Sequence, residues 1–159
     1  MHLAQLNVAH ARAPIDGPEL ASFVELLEPI NNLADSAPGF VWRMKESEED
    51  PTATITHDYG DHLLVTFSLW ESLDALWSFV YRSAHLGVLR RRREWFLRIA
   101  EPYVVLWWVP EGYIPTLAEG MERLERLKAH GPGPEAFTFQ EPYDSSEAAS
   151  LPAAAEARK

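Results

Sequence analysis

Alternating and helical spacings of apolar residues divide the chain into strands and helices. Partial alternation predicts a first strand over Leu3–Ala9. Apolar residues three and four positions apart then predict a helix over Glu19–Leu33, kinked or broken at Pro29. Two further strands are predicted at Phe40–Met44 and His62–Trp70.

The second half of the chain repeats this strand–helix–strand plan. Ser72 is expected to cap a helix that runs to about Ile99 and is loosened at Gly87. Tyr103–Val109 is apolar on both faces, which predicts a central strand, and Thr116–His130 is predicted to form a third helix capped by Thr116. The shorter predicted elements are a loop at 46–52, a strand at 53–57, a turn at 58–61 and a strand at 136–139.

The order β-α-β-β-α-β predicts an α+β protein with a ferredoxin-like protomer and C-terminal additions. The chain has 159 residues, enough for one domain with one sizeable core. We expect residues 1–143 to form that domain. Residues 144–159 are rich in Ala, Ser and Glu, and we expect them to form a disordered tail.

Large apolar residues lie on both faces of the predicted strands, such as Val41 beside Trp42 and Trp107 beside Trp108. Helices on one side of the sheet bury only one of these sets, and an exposed apolar face usually marks an interface. We therefore predict a homodimer in which two sheets press together around a cavity. In the alternative, the C-terminal helix and strand cover this face within one chain.

The charge balance and the absence of cysteine restrict the functional classes. Lys and Arg number 14 and Asp and Glu 24, so the formal net charge of −10 disfavours a nucleic-acid partner. No apolar run approaches the ~20 residues of a spanning helix, which disfavours a membrane partner. The lack of cysteine excludes thiolate metal sites, and with no signal-peptide pattern it favours a cytoplasmic location.

The step Trp70-Glu71-Ser72 at the end of a strand, followed by Ser83-Ala84-His85 near the end of a helix, resembles the hallmark of dimeric α/β-barrel proteins. The chain from about Leu3 to Tyr143 resembles an uncharacterised bacterial family of unknown function within this antibiotic-biosynthesis-monooxygenase-like superfamily. The stretches that carry this resemblance are Leu3–Val8, Pro38–Arg43, Phe79–Phe96 and Glu101–Pro110. The resemblance implies the fold, whose members include cofactor-free monooxygenases, haem enzymes, isomerases and proteins without known activity.

A narrower resemblance involves bacterial haem-degrading monooxygenases of this fold. They place an Asn on the first strand, an aromatic residue on the second helix and a haem-ligating His near the end of that helix. Asn7 matches the first position, Phe79 or Trp77 the second, and His85 the third. The resemblance therefore implies haem as one candidate cofactor, with His85 as the ligand of its iron.

His85 and Asn7 are the candidate catalytic residues. A neutral imidazole on the apolar side of the second helix suits a general base or an iron ligand. Asn is depleted in strands, so the amide of Asn7 is a candidate to hydrogen-bond dioxygen or a substrate carbonyl. The alternatives are a core histidine bonded to a backbone carbonyl, and an asparagine on the wet side of the sheet or at a bulge.

Arg91 and Arg92 are predicted to face the apolar arc of the second helix. A half-buried guanidinium needs a partner, and a haem propionate or a substrate carboxylate would provide one. The alternative is an ion pair with Glu71, Glu94 or Glu101.

Large aromatic side chains are expected to wall a pocket for a small hydrophobic or aromatic ligand. The candidates, besides Arg91 and Arg92, are Trp42, Phe67, Trp77, Phe79, Tyr81 and Trp107. The alternative for most of them is ordinary core and dimer packing. The leading hypothesis is a small-molecule enzyme of the monooxygenase-like type, either cofactor-free or haem-dependent. The alternative is a non-catalytic ligand-binding or structural homodimer.

Overall fold

The computed structural model describes residues 1–15, 17–45 and 62–149. The elements in these ranges are β1 (His2–His10), a 3-10 helix (Pro18–Leu20), α1 (Ala21–Asp35), β2 (Phe40–Arg43), β3 (Leu63–Trp70), α2 (Leu73–Arg82), α3 (His85–Arg90), α4 (Arg92–Trp95), β4 (Val104–Val109), α5 (Leu117–His130) and α6 (Ser145–Ala149). The strands form one antiparallel sheet in the order β2-β3-β1-β4. This is the ferredoxin-like α+β arrangement, so the predicted fold class is confirmed for the protomer.

The main elements lie within a few residues of their predicted positions. Ser72 and Thr116 cap α2 and α5 as expected, their side-chain oxygens accepting from the backbone N–H groups of Ala75 and Glu119. The predicted strand at 136–139 is reduced to an isolated bridge between Phe137 and Leu106. The loop, strand and turn predicted over 46–61 lie outside the described residues.

Pro29 does not break the first helix, because α1 runs continuously from Ala21 to Asp35. The proline removes one backbone donor, which leaves the carbonyl of Glu25 without its helical partner. Pro29 and Glu25 are both exposed, so water can satisfy that carbonyl. The predicted break is therefore wrong, while the predicted kink stays a prediction.

The second helix is divided where the sequence predicted one long element. Ser83 has extended backbone angles (φ −116°, ψ −176°) and separates α2 from α3, and Arg91 separates α3 from α4. The Ser83 hydroxyl donates to the carbonyl of Phe79 and accepts from the backbone N–H of His85. Ser83 thus satisfies groups at the end of one helix and the start of the next, while Gly87 lies within α3.

Strand alternation assigns the two faces of the sheet to different helices. Leu6 and Val8 of β1 belong to a core that includes Leu124 and Leu127 of α5. Residues of the opposite parity, such as Ala9, pack with α1, α3 and α4. The helices of the βαββαβ unit therefore cover one face, and the C-terminal helix covers the other.

The expectation of a bare second face is wrong. A Cβ atom on Gly120 of α5 would lie 3.2 Å from Leu6 Cδ1 and 3.4 Å from the rings of Phe67 and Trp107, which shows how closely α5 approaches the sheet. The coverage of this face by the C-terminal helix, which the sequence left as the alternative, is the observed arrangement. A covered face gives no support to the predicted homodimer. The homodimer itself stays a prediction.

The C-terminal segment also packs against the sheet just before the predicted tail. The indole Nε1–H of Trp108 donates to the carbonyl of Tyr143 at 2.8 Å. Residues Ser145–Ala149 form α6, and residues 150–159 lie outside the described ranges. The domain limit at residue 143 stays a prediction.

The burial of α5 gives a test of stability. Leu124 is fully buried, so the substitution Leu124→Ala should lower the free energy of unfolding by about 2–5 kcal/mol through lost contacts and a cavity. Leu97→Ala is the matched control, because Leu97 is 48% exposed and its loss should change stability by no more than ~0.5 kcal/mol. Urea unfolding measures both, and equal losses would contradict the packing of α5 on the sheet.

Candidate active site

A stripe of polar residues crosses the face of the sheet that α1 to α4 cover, where β1 pairs with β3. Gln5 lies opposite Ser68, and Asn7 lies opposite Thr66. The indole Nε1–H of Trp70 donates to Ser68 Oγ at 2.9 Å, and Ser68 Oγ–H donates to Gln5 Oε1 at 3.0 Å. These bonds satisfy polar groups of Gln5 and Ser68, and they do not include Asn7 or Thr66.

Separate apolar clusters flank the stripe along the same face. Leu3 and Trp70 pack with α2 residues at one end, and Ala9 and Leu64 pack with α1 and α3 residues at the other. The helices cannot bury the polar stripe without stranding its hydrogen-bonding groups. A cleft therefore remains between α1, the α2–α3 junction and the sheet.

The cleft has two adjoining chambers of about 180 Å³ and about 130 Å³. The chambers meet at a waist, which we define as the residues that line both of them. These include Asn7, Ile30, Thr66, His85, Leu89 and Arg92. Both candidate catalytic residues predicted from the sequence are thus brought together, with one of the two candidate arginines.

The break between α2 and α3 orients the ring of His85. The end of α2 leaves the carbonyl of Val80 without a helical partner, and His85 Nδ1 lies 3.2 Å from that oxygen. A carbonyl only accepts, so Nδ1 carries the hydrogen. The lone pair of the neutral ring is then on Nε2, which leaves His85 able to accept a proton or bind a metal ion at the waist.

The surroundings of His85 keep it neutral. Burial lowers the pKa of His85 below its ordinary value of 6.5, and the bond to the Val80 carbonyl opposes this only in part. The ring of Phe79 lies with its centroid 5.0 Å from that of His85 and stacks on Trp70 at 5.2 Å. Phe79 is therefore a wall of the first chamber beside the imidazole, as the sequence predicted.

Arg92 brings a positive charge to the waist. Its guanidinium carbon lies 4.3 Å from the ring centroid of Tyr103 and 5.6 Å from that of Phe96. Burial lowers the pKa of Arg92, but a guanidinium stays protonated near neutral pH. Its Nη2 is buried and has no hydrogen-bond partner in the described part of the chain.

Asn7 also has an unused polar atom. Its Oδ1 is buried without a hydrogen-bond partner among the described residues. Buried polar groups are normally bonded, so two such atoms at one waist indicate a place for a polar ligand or water. No Asp or Glu is among the described residues that line either chamber, although the chain has a formal net charge of −10.

Aromatic residues border the first chamber beyond the waist. Tyr81 and Phe139 line it, and Trp77 packs on Tyr81 with a centroid distance of 4.3 Å. Trp77 is 40% exposed and does not itself line either chamber. Burial, with a smaller contribution from Tyr103, raises the pKa of Tyr81, so its phenol stays a neutral hydrogen-bond donor.

Arg91 does not take its predicted place. It is exposed, pairs with Glu94 at 2.8 Å and lies 4.7 Å from the ring centroid of Trp95. The prediction assumed an unbroken helix, but Arg91 is the joint between α3 and α4, so the turn of 100° per residue does not hold there. The ion pair with Glu94, which the sequence left as an alternative, is the observed arrangement.

Three of the predicted aromatic wall residues belong to the core under α5, and two of them have no part in the cleft. The ring of Phe67 packs edge-on against Trp42 at 5.5 Å and lies 5.6 Å from Trp107. Phe67 borders the first chamber, but Trp42 and Trp107 line neither chamber. Both lie on the face that α5 covers, whereas the cleft lies on the opposite face of the sheet.

Tyr103 and Thr66 are site residues that the sequence reasoning missed. Thr66 is the cross-strand neighbour of Asn7, and Tyr103 lies beneath the guanidinium of Arg92. A period-two count of polar residues on β1 and β3 could have found Thr66. Tyr103 had no such signal, because it is the first residue of an apolar run.

The cleft has side chains that could bind haem, but its volume is small for this cofactor. His85 Nε2 could bind iron, and Arg92 could pair with a propionate. The two chambers of about 180 and 130 Å³ together reach only the lower end of the roughly 300–1,000 Å³ of a typical small-molecule site, and the waist divides them, whereas a porphyrin is an unusually broad ligand. The cleft therefore does not fit haem. Within the described residues no group of three or more His, Asp or Glu side chains is placed to hold a metal ion.

Two solved structures show a partial likeness to this chain. A mutant of SnoaB, a cofactor-independent oxygenase from Streptomyces nogalater, is 14% identical with a TM-score of 0.49, and the match covers 72% of this chain and 98% of that one. Rv0793 from Mycobacterium tuberculosis is 18% identical with a TM-score of 0.49, covering 71% and 100%. Likeness at this level does not extend to function.

A family match is much broader than these structural likenesses. No curated protein sequence matches the chain. In the described ranges no helix is both long and apolar enough to cross a membrane. The profile of one family, described as a domain of unknown function, matches residues 2–153. The chain therefore belongs to the DUF3291 family.

Proposed function

We propose that this protein is a small-molecule enzyme that removes a proton from an acidic aromatic or enolic substrate in the cleft. The observation that carries the proposal is the waist, where the lone pair on His85 Nε2 lies with Arg92 Nη2 and Asn7 Oδ1, both unpaired within the described ranges. The base removes the proton, and the fixed positive charge beside it stabilises the anion that deprotonation forms.

Each waist residue has a separate task in this step. His85 accepts the proton of a substrate hydroxyl on Nε2, and the Val80 carbonyl holds the resulting imidazolium through Nδ1–H. Arg92 faces the negative charge that develops on the substrate. Asn7 orients the substrate through its side-chain amide, which offers both an acceptor and donors.

The resemblance noted for the sequence implies that dioxygen then reacts with this anion. With α-naphthol as the example, an oxygen atom bonds to the ring carbon opposite the hydroxyl, and the O–O bond then breaks. The product is naphthoquinone, and the second oxygen leaves as water with the hydrogens lost from the hydroxyl and the ring carbon. The substrate supplies all the electrons, so no further reductant is required.

A non-catalytic binding protein is the competing function. The same waist would hold an organic anion without reacting with it, and only turnover separates the two. The described residues of one protomer provide the base, the guanidinium and the amide of the waist, and the homodimer stays a prediction that neither function tests.

The base role requires His85 to be neutral at physiological pH. Because burial disfavours the imidazolium, the ring resonances of His85 should titrate with a midpoint below 6.5 in an NMR pH series, with assignment from His85→Gln. The folded protein then binds this proton less readily than the unfolded chain, so the His85 contribution to stability falls as the pH drops below about 6.5. A midpoint at or above 6.5 would contradict the account.

The catalytic proposal is tested by oxygen uptake and quinone absorbance with α-naphthol. Replacing the base in His85→Gln should lower kcat by about 10²–10⁴-fold. Arg91→Gln is the matched control, because Arg91 pairs with Glu94 at the surface and should leave kcat unchanged. If the wild-type protein binds the naphthol without consuming oxygen, the enzymatic proposal fails and the binding function remains.

Haem binding has its own measurement. Since the chambers are too small for a porphyrin, titration with hemin should give no saturable Soret band. A Soret band that saturates and disappears in His85→Ala would instead establish His85 as an iron ligand and contradict this account of the cleft.

A further inference from the structure

The second chamber has an apolar character that the proton transfer at the waist does not use. The residues that line it and not the first chamber are all apolar in the described chain, and they include Phe23, Leu26, Leu27, Leu64, Val88 and Phe96. They come from α1, β3 and α3 and from the residue that follows α4. The second chamber is therefore an apolar extension of a polar site.

The second chamber, whose volume of about 130 Å³ includes its part of the waist, has an apolar end that core packing alone does not explain. Protein interiors are close-packed, and the lining of an empty apolar space loses contacts that a ligand could supply. Water gains little there, since it needs polar partners and the lining beyond the waist offers none. A ligand with an apolar substituent would fill the space.

The waist fixes where the polar part of such a ligand lies. Arg92 Nη2 requires an acceptor and favours an anion, while Asn7 Oδ1 accepts from a hydroxyl. No described lining residue carries a competing carboxylate. The ligand therefore has an acidic group and a hydroxyl at one end and an apolar substituent at the other.

We infer that the second chamber is the specificity subsite for the apolar substituent of a hydroxyaromatic acid, whose carboxylate meets Arg92 at the waist. This inference rests on the proposed function for the role of the waist, but it concerns binding and not turnover. A short alkyl chain or a single ring is the substituent that the chamber can take.

The test is the affinity of the full chain for salicylates with a methyl, propyl or pentyl chain on the ring, measured by calorimetry. Burial of each methylene should tighten binding about fourfold, until the chamber is full. Alkylbenzenes with the same chains, which lack the acid and the hydroxyl, should bind far more weakly. The absence of binding by any salicylate, or affinity that does not depend on chain length, would overturn the inference.

The variant Val88→Phe places a larger side chain in the second chamber and should abolish the dependence on chain length. Leu86→Phe is the matched control on the same helix, since Leu86 is half-buried but lines neither chamber, and it should preserve the dependence. Leu27→Phe fills the same space from α1 and serves if Val88→Phe does not fold, as judged by thermal unfolding. Preserved chain-length dependence in the filled variants would overturn the inference.

Failure of this inference is separable from failure of the proposed function. Chain-length dependence without any oxygen uptake would retain the subsite and remove the enzymatic proposal. Oxygen uptake with α-naphthol but no chain-length dependence among the salicylates would do the reverse.

Discussion

The polar stripe on one face of the sheet is the constraint on which the rest of the structure depends. Alternation along β1 forces Gln5 and Asn7 onto the same face as the apolar residues that α1 and α2 must cover. The helices pack at the two ends of this face and cannot close over its middle without burying unsatisfied polar groups. The cleft is thus a consequence of two polar positions in a central strand. The opposite face of the sheet carries a large apolar cluster that packs against α5.

The second determinant is the helix break at Ser83, which orients the ring of His85 so that Nε2 carries the lone pair. Ser83 ends α2, and the carbonyl of Val80 that this leaves accepts from His85 Nδ1. A longer helix would have satisfied that carbonyl within its own turns. A second break, at Arg91 between α3 and α4, sends the neighbouring guanidiniums in different directions. That of Arg91 pairs with Glu94 at the surface, and that of Arg92 lies over Tyr103 with its Nη2 unpaired among the described residues. A positive charge and a neutral base therefore share a cleft in an acidic protein.

The sequence predicted the ferredoxin-like order because strand alternation and helix spacing are local signals, and both caps, Ser72 and Thr116, are where their side chains indicated. It also singled out Asn7, Phe79, Tyr81, His85 and Arg92, all of which line the cleft. It misplaced Trp42 and Trp107 because the docking of α5 on the sheet is a long-range contact with no local signature. It misplaced Arg91 because the break at that residue is set by packing and not by a proline or glycine.

The most direct test of a single-chain cleft that binds an organic anion beside a neutral base is the NMR titration of His85 with and without salicylate. A carboxylate bound at the waist stabilises the imidazolium, so the account predicts that saturating salicylate raises the pKa of His85. Side-chain resonances of Arg92 should shift with the same binding curve, while the indole resonance of Trp107 in the core under α5 should not. Saturable binding that leaves His85 and Arg92 unperturbed would contradict the account.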